Sequence, residues 1–196
     1  MVKIDFHNPE FVERYMKKNG MLFKAMKEEI ARLLNDITLD GKRVLEVGCG
    51  TGYLCFEIAN MFPEAEILGT DLSEAFISHA DRIKERENFD NVQFKTADAL
   101  NLPYDDNSFD FVFSFFTAHW VDDPVEYLRE MERVLKPDGI LIAGDTRYRF
   151  ILSFIPGFKT AFRLKKAKDI TMQAGIREHK FTSGFWYWRV DNLPVQ

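Results

Sequence analysis

Three glycines in five residues, Gly48, Gly50 and Gly52, follow the apolar run Val44-Leu45-Glu46-Val47, and an acid, Asp71, stands nineteen residues beyond the last of them. Glycine lets the backbone turn tightly and lets a ligand lie against the main chain where a side chain would block it. An acid at that distance, closing a second apolar run, is placed to take hydrogen bonds from a ribose. The spacing is G-x-G-x-G: Tyr53 stands where the dinucleotide fingerprint has its third glycine, which provides poorly for a pyrophosphate. Charge points the same way. Glu46, Asp71 and Asp98 close or follow three strand-like runs, and no Lys or Arg comes directly after any of them. Three carboxylates around one cleft repel a phosphate-bearing ligand and suit an adenosine that carries a cation.

The elements that must position these residues follow from hydrophobic period and punctuation. Strands are expected at about 42–47, 66–70, 92–95, 109–115 and 140–143. Helices are expected at about 53–62, stopped by Pro63; at 74–86, capped by Ser73; and at 124–135, entered through Asp123-Pro124. Lys136-Pro137-Asp138-Gly139 reads as a tight turn into the fifth strand. A helix over about 158–174 precedes Gly175, and two short strands, about 176–181 and 184–190, are close enough to pair antiparallel. Apolar positions at helical spacing before residue 36 predict two N-terminal helices broken near Asn19-Gly20. The alternation predicts an α/β chain: a three-layer α/β/α open sheet of seven strands, mostly parallel, with an antiparallel C-terminal strand. In such sheets ligands sit beyond the carboxyl ends of the strands, where Glu46, Gly48, Asp71, Asp98 and Ser114 fall.

The series V-L-E-V-G-C-G-T-G (44–52), L-G-T-D-L-S (68–73), A-D-A-L-N-L-P-Y-D-D-N-S-F-D (97–110), H-W (119–120) and R-V-L-K-P-D-G-I-L (133–141) resembles the class I S-adenosylmethionine-dependent methyltransferases. The likeness is strongest to the "type 11", ubiquinone/menaquinone-biosynthesis-like group, and covers about residues 40 to 145. It implies a Rossmann-like fold and methyl transfer from S-adenosylmethionine to a small molecule by direct displacement, leaving S-adenosylhomocysteine. Asp71 would accept the ribose hydroxyls, Leu72 would lie on the adenine face, and Asp98 with the backbone of Ala99 and Leu100 would read the adenine edge. Glu46 would hold the loop backbone or the methionine amino group. Gly48, Cys49, Gly50 and Gly52 would form the bare cradle, and Ser114 and Phe115 would border the methionine part.

For catalysis, His119 is either a proton acceptor or a residue with a packing or hydrogen-bonding role. Tyr15 either closes over the cofactor or belongs to the core. Asn101-Leu102-Pro103-Tyr104 looks faintly like an N-P-P-Y amino-methylase signature, but that signature belongs directly after strand four, where this chain reads S-F-F-T-A-H-W. Cys49 and Cys55 read as small packing residues, and no metal-ligand spacing occurs. Phe185-Trp186-Tyr187-Trp188 reads as sheet core or as an apolar wall for a substrate.

A chain of 196 residues suits one domain, 1–196, with residues 1–40 as N-terminal helices over the cleft and 146–157 as a short substrate-side insertion. No apolar run spans a bilayer and the first residues lack a signal-peptide core, which predicts a cytoplasmic protein. Net charge is −5, yet residues 147–196 hold ten Lys and Arg against three acids, with Arg163, Lys165, Lys166 and Lys168 concentrated on one helix. That helix presents either a solvated face or a site for an anionic substrate, a membrane surface or RNA; without interleaved aromatics, nucleic acid is the weaker partner. Two other functions fit the layered fold. One is a cofactor-binding partner or sensor without transferase activity; the other is a nicotinamide-dependent oxidoreductase, against which the glycine spacing and the acidic pocket count.

Overall fold

The computed structural model describes residues 8, 10, 12, 14, 20–146, 161–176, 180–183 and 187–193. The seven strands form one sheet, and the chain divides into two compact units, Met1–Ala97 and Asp98–Gln196.

In the first unit, helix α1 (Gly20–Leu33) precedes strand β1 (Arg43–Val47), helix α2 (Tyr53–Met61), strand β2 (Glu66–Asp71), helix α3 (Glu74–Glu87) and strand β3 (Val92–Thr96). β1 pairs parallel with β2, and β2 with β3, so that Val47 stands opposite Thr70 and Asp71 opposite Thr96. Val44 through Val47 are buried without interruption. Successive strand residues point to opposite faces, so this run is covered on both sides, as a parallel sheet between helices requires. Ser73 starts α3 by accepting the amide of Phe76 at 3.2 Å, and Asn88 ends it in the left-handed region (φ 57°). The Ser73 cap sets the path of the chain directly after Asp71.

The second unit holds strand β4 (Phe109–Phe115), helix α4 (Pro124–Val134), strand β5 (Leu135–Thr146), helix α5 (Leu164–Ala174) and strands β6 (Lys180–Ser183) and β7 (Tyr187–Asp191). β4 and β5 are parallel; β7 runs antiparallel to both β5 and β6, the expected C-terminal reversal. Asp123 caps α4 through two 3.0 Å bonds from the amides of Val125 and Glu126, with Pro124 in the first turn. The core includes Phe111, Phe113, Leu128, Met131 and Trp188, all fully buried.

One expectation fails here. Lys136-Pro137-Asp138-Gly139 does not precede the fifth strand but lies inside it, as a bulge. Phe109 stands opposite Leu135 and Phe111 opposite Ile140, so the four residues between face only Asp110. Lys136 pairs with Asp110 at 2.9 Å, and the Asn192 side chain donates to the Gly139 carbonyl at 3.0 Å and accepts from the Leu141 amide at 2.7 Å. Partners on both sides thus hold a segment whose composition reads as a turn. The strand also runs on to Thr146, because β7 continues the pairing as far as Tyr187. The last helix, expected over 158–174, begins only at Leu164: residues 161–163 are not helical, with Arg163 extended (φ −66°, ψ 146°), and the helix ends at Gly175 with φ 70°. Most of the first N-terminal helix and of the 146–157 insertion lies outside the described residues.

Candidate cofactor-binding site

The first unit builds a loop of bare backbone at the end of β1. The amides of Gly48 and Cys49 both donate to the Thr70 carbonyl, at 2.7 and 2.8 Å, which pins the start of the loop to β2. Gly48, Gly50 and Gly52 all have positive φ, at 73°, 53° and 76°. The last two do different work. A Cβ on Gly52 would lie 2.4 Å from the ring of Phe94, so this glycine allows α2 to pack on β3, whereas a Cβ on Gly50 would meet nothing within 4 Å. Gly50 therefore borders open space.

Asp71 is half-buried and holds the loop from β2: one oxygen accepts the Gly50 amide at 2.8 Å, the other the Ser73 amide at 2.9 Å. Leu72 beside it is 62% exposed, a large aliphatic side chain held out of the core at the strand end. Glu46 departs from one of its two expected roles. It is buried, and its carboxylate accepts from the Cys55 thiol at 2.9 Å, on α2, rather than from a loop amide. Burial pushes its pKa up to about 8, the Cys55 bond opposes the rise and the charge of Asp71 adds to it. Cys49 and Cys55 are both buried, and burial likewise raises both thiols well above the ordinary cysteine value.

In the second unit, Asp98 is exposed and its side chain accepts the Leu100 amide at 2.9 Å, closing an Asx turn. The amide of Leu100 is thereby committed within the loop instead of being presented to a ligand edge. A pair on α4 holds the continuation of this loop. Glu130 accepts the Leu102 amide at 2.8 Å, and Arg133 donates to the carbonyls of Leu102 and Tyr104, at 3.0 and 2.8 Å, and to Asp106 at 2.8 Å. Glu130 and Arg133 also bond each other at 2.6 Å, and that bond is the largest cause lowering the Glu130 pKa. Ser114 is buried at the end of β4 and Phe115 half-buried. Phe116 then takes a left-handed φ of 59°, its amide bonded to the Gly144 carbonyl at 2.9 Å.

His119 follows in the same loop. Its Nδ1 lies 2.6 Å from an oxygen of Asp145 at the end of β5, and its own amide donates to the other oxygen at 2.9 Å. Tyr15 lies outside the described residues. Sequence reasoning passed over Glu130, Arg133 and Asp145. The first two carried a signal, an acid and an arginine three apart on a helix; the third was one more acid at the carboxyl end of a strand. Among the described residues no His, Cys, Asp and Glu cluster is arranged to hold a metal ion, and no helix is long and apolar enough to cross a membrane.

Comparison with known proteins agrees with this architecture. Residues 38–185 match the family model described as a methyltransferase domain. The chain is 36% identical over 125 residues to a malonyl-[acyl-carrier protein] O-methyltransferase of Hahella chejuensis, covering 63% of this chain and 44% of that one. It is 34% identical over 152 residues to a demethylmenaquinone methyltransferase of Staphylococcus carnosus, covering 76% and 62%. The chain thus spans about half the length of these curated relatives. In fold it is similar to a SAM-dependent methyltransferase from Aquifex aeolicus (TM-score 0.74, 24% identity, 96% of this chain and 98% of that one). A second neighbour, from Methanococcus maripaludis, reaches a TM-score of 0.80 at 19% identity, covering 100% and 97%. With three quarters of its length matched by the family model, the chain belongs to the methyltransferase-domain family, in the class I S-adenosylmethionine-dependent group that its motifs resemble.

Proposed function

We propose that this protein binds S-adenosylmethionine and transfers its methyl group to a small-molecule acceptor by direct displacement. The observation that carries the reading is Gly50: a positive-φ residue with open space where a side chain would stand and an amide fixed by the acid that closes β2. A ligand can lie against that backbone, and the exposed Leu72 offers an apolar surface for a ring next to it. When bound, the cofactor supplies an electrophilic methyl on a sulfonium that departs as a neutral thioether.

The chain's own residues then need only bind and orient. Asp71 takes the ribose hydroxyls, Leu72 covers the adenine, and Asp98 with the Ala99 backbone reads the adenine edge. Gly48, Cys49 and Gly50 supply main chain to the methionine part. Glu46 lies under them as a buried acid, and Ser114 and Phe115 border that part from the end of β4. The acceptor is a small molecule; the names of the two relatives point to different ones, a malonyl group on an acyl carrier protein and a demethylmenaquinone. Two free, buried thiols suit a reducing compartment, and we place the protein in the cytoplasm.

The test is a screen of cell-extract small molecules for transfer of a labelled methyl group from S-adenosylmethionine. Labelling of a discrete compound by the wild-type protein supports the reading. Binding of the cofactor with no compound labelled would leave a binding protein in its place.

A further inference from the structure

We infer that His119 and Asp145 form a proton-accepting pair for the methyl acceptor, with His119 as the base and Asp145 as the residue that positions it. The inference rests on the methyl-transfer reading above. Both side chains are almost wholly shielded, 3% and 0% exposed, and both stand at the carboxyl ends of parallel strands, where open α/β sheets place their chemistry. The Asp145 carboxylate is surrounded by donors. One oxygen receives His119 Nδ1 at 2.6 Å, the Thr146 amide at 2.5 Å and the Thr146 hydroxyl at 3.3 Å; the other receives the His119 amide at 2.9 Å.

An ionised carboxylate only accepts, so the proton of the neutral ring must sit on Nδ1. Nε2 is then left with a lone pair. It makes no hydrogen bond to a described residue, and it is not among the unpartnered polar atoms sealed from solvent, as the Trp188 indole nitrogen is. Two further contacts fix the ring. The Phe116 amide ties the loop to the Gly144 carbonyl at 2.9 Å, at the cost of a left-handed φ, and the half-exposed Trp120 lies 4.7 Å from the imidazole centroid. A base whose tautomer and orientation are both set by a buried carboxylate is built for proton transfer at its far nitrogen.

The proton balance is simple. As the acceptor atom commits its lone pair to the methyl carbon, its proton moves to Nε2. The resulting imidazolium is stabilised by the Asp145 carboxylate and afterwards returns the proton to water. No oxidant or reductant is involved, and the proton is carried by the imidazole and not passed on to Asp145.

The test has two parts. Imidazole nitrogen NMR of the full chain, without ligand, should show the neutral form of His119 with its proton on Nδ1 and Nε2 bare. Asp145→Asn should shift that pattern, because an amide cannot accept on both sides and its NH2 group will turn the ring toward the other tautomer. In the labelled-methyl assay, His119→Gln should lower kcat by about 10²–10⁴-fold, and Asp145→Asn by about tenfold or more. Calorimetry should find the affinity of both for S-adenosylmethionine unchanged. Should Asp145→Asn not fold, the wild-type spectrum and His119→Gln carry the test. A wild-type ring protonated on Nε2, or His119→Gln turning over at the wild-type rate, would overturn the pair while leaving methyl transfer standing. A wild-type protein that binds the cofactor and labels nothing would remove both.

Discussion

Asp71 illustrates how one side chain joins structure to binding. It fixes the glycine loop through Gly50 and the start of α3 through Ser73, and it stands where the proposed ribose lies. Asp71→Ala should weaken S-adenosylmethionine binding by about 1.5–3 kcal/mol, roughly ten- to a hundredfold, for lost charge-assisted hydrogen bonds. Calorimetry decides this, and unchanged affinity would show that the ribose is held elsewhere. Glu46 gives a pH-dependent prediction. Its folded pKa of about 8 stands above the ordinary 4.5, so between those values the folded state binds the proton that the unfolded chain has released. Stability should therefore fall as pH rises through that window and level off above it. Glu46→Gln should flatten the decline in urea midpoints; an equal slope in the variant would mean that another group is responsible. At this scale the sequence shows positions better than bonds. The spacing from Gly52 placed Asp71, but nothing local indicated that Glu46 would face Cys55, a contact that depends on how α2 packs over β1.

The elements decide what each glycine and each loop tie is for. Gly52→Ala puts a methyl against the Phe94 ring, itself 5.4 Å from Phe56 in an edge contact, and strains a φ of 76° as well. Gly50→Ala meets only open space and should cost about 1–2 kcal/mol for its left-handed backbone. Thermal melts should thus rank Gly52→Ala as the less stable, while Gly50→Ala, though folded, should lose most of its cofactor affinity. The reverse ranking would contradict the division of labour assigned to the two glycines. Arg133→Met should leave α4 helical but release the carbonyls of Leu102 and Tyr104, weakening cofactor binding more than it lowers the melting temperature. Strands β1 to β4 and the caps Ser73 and Asp123 were legible because apolar runs and capping residues act locally. The β5 bulge was not, because Pro137 and Gly139 spell a turn until Asp110 and Asn192 supply partners from other strands.

At the scale of the molecule, the family, the sheet and its antiparallel final strand were all readable from the order of motifs, since alternating strands and helices admit few arrangements. Substrate identity was not, for the fold fixes where a ligand lies and leaves the acceptor to side chains that vary. The exposed basic residues of α5 and its flank, Arg163, Lys165, Lys166 and Lys168, show the limit: two of them lie over aromatic rings, Lys166 over Phe162 at 4.7 Å and Lys168 over Phe181 at 5.5 Å. The central claim concerns a bare-backbone cradle for a cationic adenosine tethered by carboxylates. Titration calorimetry of the full chain with S-adenosylmethionine, S-adenosylhomocysteine and NAD tests it most directly. Saturable binding of both sulfur nucleosides with no response to NAD is the predicted result; tight NAD binding with none to the sulfur compounds would contradict it.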